Sequence, residues 1–363
     1  MTIFYILLLV LALLISGFGW SKKLYKLNAP FSWFFLYTFS VLIGFRSKYS
    51  GVDTKSYFNY FLDIKARVNP YYTFEPGFIY FTQLITKIAS VEVYIFILSA
   101  TQLLCIYLSA KLLDIKNKLI TLVAFLCFMP GFDMLTNGLR GGFALLFGLL
   151  LLVATVVKHN RLALINVIPA FFHASYAIVT IVSLFVKKFS GQKMNLFIFV
   201  SSLIFFGIWL TVNPVTVIGF FESLNKDANS LGRIGRLVRY LIIEKELMSF
   251  SVKLYFIALS ILFSCIYFIT LKRDSRAEND EVLTRMAFIA LSIQFIYALF
   301  SFSQYSYRFM FLAFPVQILM FSYIMDKYFF GMTRSLIVFA ICFFGIITTY
   351  TSKTFSSFIL LSL

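Results

Sequence analysis

The chain has 363 residues, 61% of them hydrophobic and 13% charged, with a mean hydropathy of +0.90. Soluble domains are about half apolar and a quarter charged, and no single core of this size hides so much apolar surface, which excludes a soluble globular enzyme. The formal charge is +17, from 32 Lys and Arg against 15 Asp and Glu, but the basic residues are scattered in short connections. Anionic headgroups or phosphate-bearing ligands fit that distribution better than nucleic acid does.

Apolar runs lie near 3–20, 29–45, 93–113, 119–132, 138–157, 162–186, 194–220, 252–271, 286–303, 309–325 and 336–350. They predict an all-α polytopic membrane protein of roughly ten to twelve spans, at about 20 residues per span. The runs are continuous, which excludes a transmembrane barrel with its alternating strands. No charge precedes the first run, and Lys22, Lys23 and Lys26 follow it. That order predicts an anchor with its N-terminus outside, not a cleaved signal. The stretch 77–90 is too short to span and reads as a half-helix or an interfacial helix. Residues 1–363 form a single integral membrane domain, with two long external loops at 46–76 and 222–251. Short connections at 21–28, 111–118, 158–161, 187–193, 272–285 and 327–334 hold 17 of the 32 basic residues. Their density places them in the cytoplasm. The run 162–186 has basic residues at both ends. It is read as a hairpin that enters from the cytoplasm, turns near His173 and returns; as a single span it would invert everything after it. Cys105, Cys127, Cys265 and Cys342 each lie in an apolar run without a pairing signal and read as packing residues.

The polar residues on the predicted outer side fall into a few groups. Arg46, Asp53, Tyr57 and Glu75 stand in the first long loop, which also reads as a solvated loop with an interfacial aromatic belt. Asn137 and Arg140 precede a strongly apolar run; the arginine either snorkels to the interface or marks a site at depth. His173, in an apolar stretch, is either a packed residue or a proton acceptor, since its reference pKa of about 6.5 permits both states near neutrality. In LGRIGRLVRYLII, Arg233, Arg236 and Arg239 share one face of a predicted amphipathic helix. They either anchor that helix to headgroups or grip a diphosphate through bidentate forks. Tyr307 and Arg308 lie between two late spans. The chain has no P-loop, no GxSxG, no GxGxxG before a helix, and two histidines in all.

These pieces together resemble the Wzy-type polysaccharide polymerases, in particular their EpsG-like branch. The likeness rests on Arg46 with Gly51–Val52–Asp53 and Tyr57, on Glu75–Pro76–Gly77–Phe78, on Asn137-x-x-Arg140, on Phe172–His173-x-Ser175 and on Tyr307–Arg308. Gly141 departs from the family, where a glutamine follows the arginine. The resemblance implies a GT-C-like membrane glycosyltransferase of the bacterial inner (plasma) membrane, working on the periplasmic or exterior face. It implies polyprenyl-diphosphate-linked oligosaccharide as substrate, no metal and no cofactor, and allows a chain-length regulator protein as a further partner. Sugar transfer passes through an oxocarbenium-like state while the leaving diphosphate gathers charge. Arg140 and Arg308 would face that charge, with Arg233, Arg236 and Arg239 as accessory contacts. Asp53, Glu75 and His173 are candidates for the base, His173 foremost because its segment is otherwise apolar. Arg46, Tyr57, Asn137 and Tyr307 complete the predicted substrate site, the tyrosines stacking on sugar rings. A flippase for lipid-linked oligosaccharide or a glycan ligase would share much of this lining.

Overall fold

The computed structural model describes residues 9–14, 22–50, 53–68, 74–158, 163–211, 250–301 and 307–350. Among them there are helices and no strands. Every backbone N–H and C=O in a membrane must be satisfied internally, and helices do so within one segment. In chain order they are α1 (Lys22–Gly44), α2 (Thr54–Lys65), α3 (Pro76–Thr86), α4 (Val91–Leu112), α5 (Lys118–Cys127), α6 (Met129–Thr136) and α7 (Leu139–Leu152). A π turn, Val153–Val157, extends α7, and a 3-10 segment, Ala163–Phe171, follows. Then come α8 (Ala177–Phe189), α9 (Gln192–Thr211), α10 (Phe250–Arg273), α11 (Glu281–Phe300), α12 (Tyr307–Lys327) and α13 (Gly331–Tyr350).

Seven helices among the described residues are long and apolar enough to cross a membrane, or eight if the bent α5–α6 pair is one span. The chain is an all-α polytopic membrane protein. Of the eleven apolar runs, that at 3–20 lies mostly outside the described residues, and two others break locally. The run at 119–132 breaks at Phe128, where α5 and α6 meet at 85°. Pro130 has no N–H to continue the α5 ladder, and Phe128 is extended at φ −100°, ψ 143°. The Cys127 carbonyl left over at the break accepts from the Thr349 hydroxyl of α13 at 2.7 Å. Gly131 packs against the Phe125 carbonyl, where a Cβ would collide.

The run at 162–186 is the second broken one, and here the hairpin reading holds in outline. The 3-10 segment runs back along α7. Asn166 donates to the Thr155 hydroxyl at 3.0 Å, and Phe172 meets the Phe143 ring at 5.4 Å. The chain turns at His173, and the Thr180 hydroxyl of α8 then donates to the Asn166 carbonyl at 2.5 Å. Asn166 and Thr180 stand equally far in sequence from His173, so the two arms lie side by side. The stretch 77–90 is the short helix α3, followed by the start of α4.

The chain forms two compact units, one of residues 1–184 with 318–363 and one of residues 185–317. In the first, Lys158 holds the Leu112 carbonyl (2.7 Å) and Asp114 (2.9 Å). Asp326 accepts from the N–H groups of Lys116 (2.8 Å) and Asn117 (3.3 Å) and faces Arg334 at 3.6 Å. Three of the short basic connections thus gather at one end of this unit. At its other end an aromatic core of Tyr57, Tyr60, Phe61, Phe78 and Tyr94 packs beneath the start of α7. In the second unit, buried Asn195 of α9 donates to the Tyr267 hydroxyl (3.0 Å) and the Thr284 carbonyl (3.1 Å), tying three helices together.

Candidate active site

The site is built where several helices begin. α3 opens with Glu75 as N-cap and Pro76 in the first turn, a position where a missing N–H costs nothing. α7 opens after the Asn137–Gly138 turn, with Arg140 in its first turn. A cation there opposes the helix dipole, so it needs an anion close by. Glu75 supplies it: Arg140 Nη1 donates to Glu75 Oε2 at 2.8 Å. The guanidinium also lies over the Phe74 ring, 4.3 Å from its centroid. The Arg140 backbone N–H, one of the donors a helix start leaves over, reaches the Tyr57 hydroxyl at 3.3 Å. Glu75 Oε1 accepts from the Ala174 N–H at 3.1 Å. One carboxylate therefore ties the arginine of α7 to the turn that carries His173.

Arg140 and Glu75 each keep 22% of their side chains exposed, enough for a ligand to reach them. Arg46 is different: it is 3% exposed. Its guanidinium donates to the Ile43 carbonyl at 3.0 Å, to the Thr54 hydroxyl at 2.9 Å and to the Thr136 carbonyl. It joins the end of α1, the start of α2 and the end of α6. Burial pulls its pKa down to about 9, which leaves it a cation at neutral pH. Burial likewise pushes the Tyr57 phenol up to about 12, against the opposing pull of Arg140 and with Asp53 and Asp133 adding to the rise. At neutral pH Tyr57 keeps its proton and works as a hydrogen-bonding group.

His173 caps the turn that follows it. Its Nδ1 accepts the Ser175 N–H at 3.3 Å and lies 2.6 Å from the Ser175 hydroxyl. Asn137 is buried and donates to Asp133 Oδ1 at 2.8 Å. Asp53 is exposed at the start of α2. Arg140, Glu75, Tyr57 and the His173 turn are thus brought together, with Asp53 at the start of α2 and Arg46, just past α1, tied to that start through Thr54. Arg308 is exposed in the first turn of α12, in the second unit, and Tyr307 begins that helix. Arg233, Arg236 and Arg239 lie outside the described residues. Sequence reading passed over Thr54, Phe74 and Asp133. For Asp133 a signal existed, since it is the only acidic residue between Asp114 and Glu222. Among the described residues no three of His, Cys, Asp and Glu gather as metal ligands.

The glycines after Arg140 differ in what they face. A Cβ on Gly142 would lie 2.6 Å from the Met134 carbonyl and against the Gln102 amide, whereas one on Gly141 would meet the His173 ring at an ordinary 3.7 Å. Gly142→Ala is therefore expected to cost about 1–3 kcal/mol by overpacking, and Gly141→Ala close to nothing. Thermal melting of the two variants in detergent checks the difference.

In a helical membrane protein, an ionisable constellation at the start of an apolar helix marks a candidate site for a polar substrate. The EpsG family model matches residues 30–360, and the chain belongs to that family. Its members are Wzy-like polymerases, so the chain is a polysaccharide polymerase. No curated protein and no solved structure matches it significantly.

Proposed function

We propose that this polymerase joins polyprenyl-diphosphate-linked oligosaccharide repeat units by glycosyl transfer on the external face of the bacterial plasma membrane. The observation that carries the reading is Arg140, pinned by Glu75 at the start of α7 and still partly accessible. A guanidinium has five N–H donors, and Glu75 engages only one edge of the fork. The rest suits a diphosphate whose lipid tail runs along the apolar helices. Glu75 is itself the N-cap of α3, whose positive end adds to that position. In the reaction, the bond from the anomeric carbon to the diphosphate oxygen breaks with its electron pair on that oxygen. The acceptor hydroxyl oxygen forms the new glycosidic bond, and its proton passes to a base of the site. We assign charge neutralisation at the leaving group to Arg140, not to a metal ion.

The test is polymer formation by the purified protein supplied with lipid-linked repeat units. A ladder of chain lengths is expected, and it should persist in EDTA. No ladder from active-site-intact protein would overturn the polymerase reading on this substrate. A ladder lost in EDTA and restored by Mg²⁺ or Mn²⁺ would overturn the metal-free step.

A further inference from the structure

His173 sits beside Arg140, and its two ring nitrogens are not equivalent. Nδ1 is the N-cap acceptor for the Ser175 N–H at 3.3 Å, with the Ser175 hydroxyl at 2.6 Å. A backbone N–H can only donate, so we infer that Nδ1 presents its lone pair there, with the Ser175 hydroxyl, which can donate or accept, as a second donor. In the neutral ring the proton then belongs to Nε2, because one nitrogen donates and the other accepts. The Nε2–Cδ2 edge is the one that lies along Gly141, one residue after Arg140. The cap is fixed from behind: the next N–H, that of Ala174, is held by Glu75 at 3.1 Å, and the His173 N–H donates to the Pro169 carbonyl at 3.1 Å. Turning the ring over would surrender the cap.

We propose that His173 acts as a hydrogen-bond donor through Nε2–H to the phosphate oxygen of the leaving group, and that it is not the base. This rests on the polymerase reading above and assigns a role within the same site. A base must face the acceptor hydroxyl with a lone pair, and this ring turns its lone pair into the protein. A neutral imidazole donor adds a directed hydrogen bond to the developing negative charge beside the Arg140 fork. The acceptor proton then goes to a carboxylate. Asp53, exposed at the start of α2, and Glu75, which also holds Arg140 and the Ala174 N–H, are the two carboxylates that can take that part.

Two measurements decide the matter. The first replaces the ring by side chains that keep one nitrogen position or the other. Glutamine sets an N–H donor near the place of Nε2; asparagine places its amide near Nδ1. His173→Gln should retain polymer formation within about tenfold of the wild type. His173→Asn and His173→Ala should lose about a hundredfold or more, the scale of one removed transition-state donor. His173→Gln as inactive as His173→Ala at equal membrane abundance would overturn the donor role. The second needs no turnover. The chain has two histidines, His159 and His173, so nitrogen-15 NMR of labelled full-length protein, compared with His159→Gln, isolates the His173 ring. A proton on Nε2 with Nδ1 bare is expected; a proton on Nδ1 would overturn the proposal. If the wild type makes no polymer, the polymerase reading fails on its own account and the ring signals still decide the tautomer.

Discussion

Arg140→Ala is expected to remove long glycan chains while leaving membrane abundance close to the wild-type level. One preorganised donor at developing charge is worth about 3–4 kcal/mol, or about a hundred- to a thousandfold in rate. Arg140 is a donor of that kind: a carboxylate at 2.8 Å and a ring at 4.3 Å hold its guanidinium in place before substrate arrives. Arg140→Lys should recover part of the rate, because an ammonium keeps the charge and loses the planar fork. Glu75→Gln separates positioning from charge. The amide keeps an acceptor for Arg140 but loses the ion pair, which is partly exposed and hence modest in energy. It should therefore cost less than Arg140→Ala, about tenfold. The polymer ladder on a gel, normalised to extracted protein, reads all three. A full ladder from Arg140→Ala would make this arginine an interfacial anchor.

Arg46→Ala is expected to act on the fold first and on activity as a consequence. The Arg46 side chain is buried and spent on three partners from three helices. Hydrogen bonds to a charged group are worth about 1.5–3 kcal/mol each, and part of that sum offsets the cost of burying the cation. A net loss on the order of 3 kcal/mol follows. The Thr136 carbonyl would lose its donor just before the turn that sets the direction of α7, so Arg140 would be displaced as well. Thermal melting in detergent and membrane abundance should both fall, and Arg46→Lys should restore only part, since an ammonium cannot span the same three acceptors. A variant that melts like the wild type yet makes no polymer would return Arg46 to direct substrate contact.

Much of the site was legible in the sequence because its residues break a local pattern. Arg140 interrupts an apolar stretch, and a permanent charge there is costly unless it has a use. His173 stands midway in a run with basic residues at both ends, which is the signature of a chain that turns back. Asp133, seven residues before Arg140, breaks the pattern just as visibly, as the only acidic residue between Asp114 and Glu222. Arg46 stands out in its loop as a substrate contact, and nothing local distinguishes an arginine that meets substrate from a buried one that joins helices.

Hydropathy and charge order alone determine that this chain is a bundle of membrane helices, because the bilayer asks the same question of each segment of about 20 residues separately. They leave the 162–186 run as either a hairpin turning near His173 or one span, and the tertiary structure decides for the turn. The tertiary structure alone decides that the 119–132 run folds into two helices at 85°, with its orphaned carbonyl capped by Thr349 from the far end of the chain. It alone decides that Glu75 meets both Arg140 and the Ala174 N–H, that Arg46 is buried, and which nitrogen of His173 is engaged. Each of these depends on which helix starts pack side by side. That is settled by side-chain fit between segments 65 to more than 200 residues apart, and no periodicity within a segment encodes it.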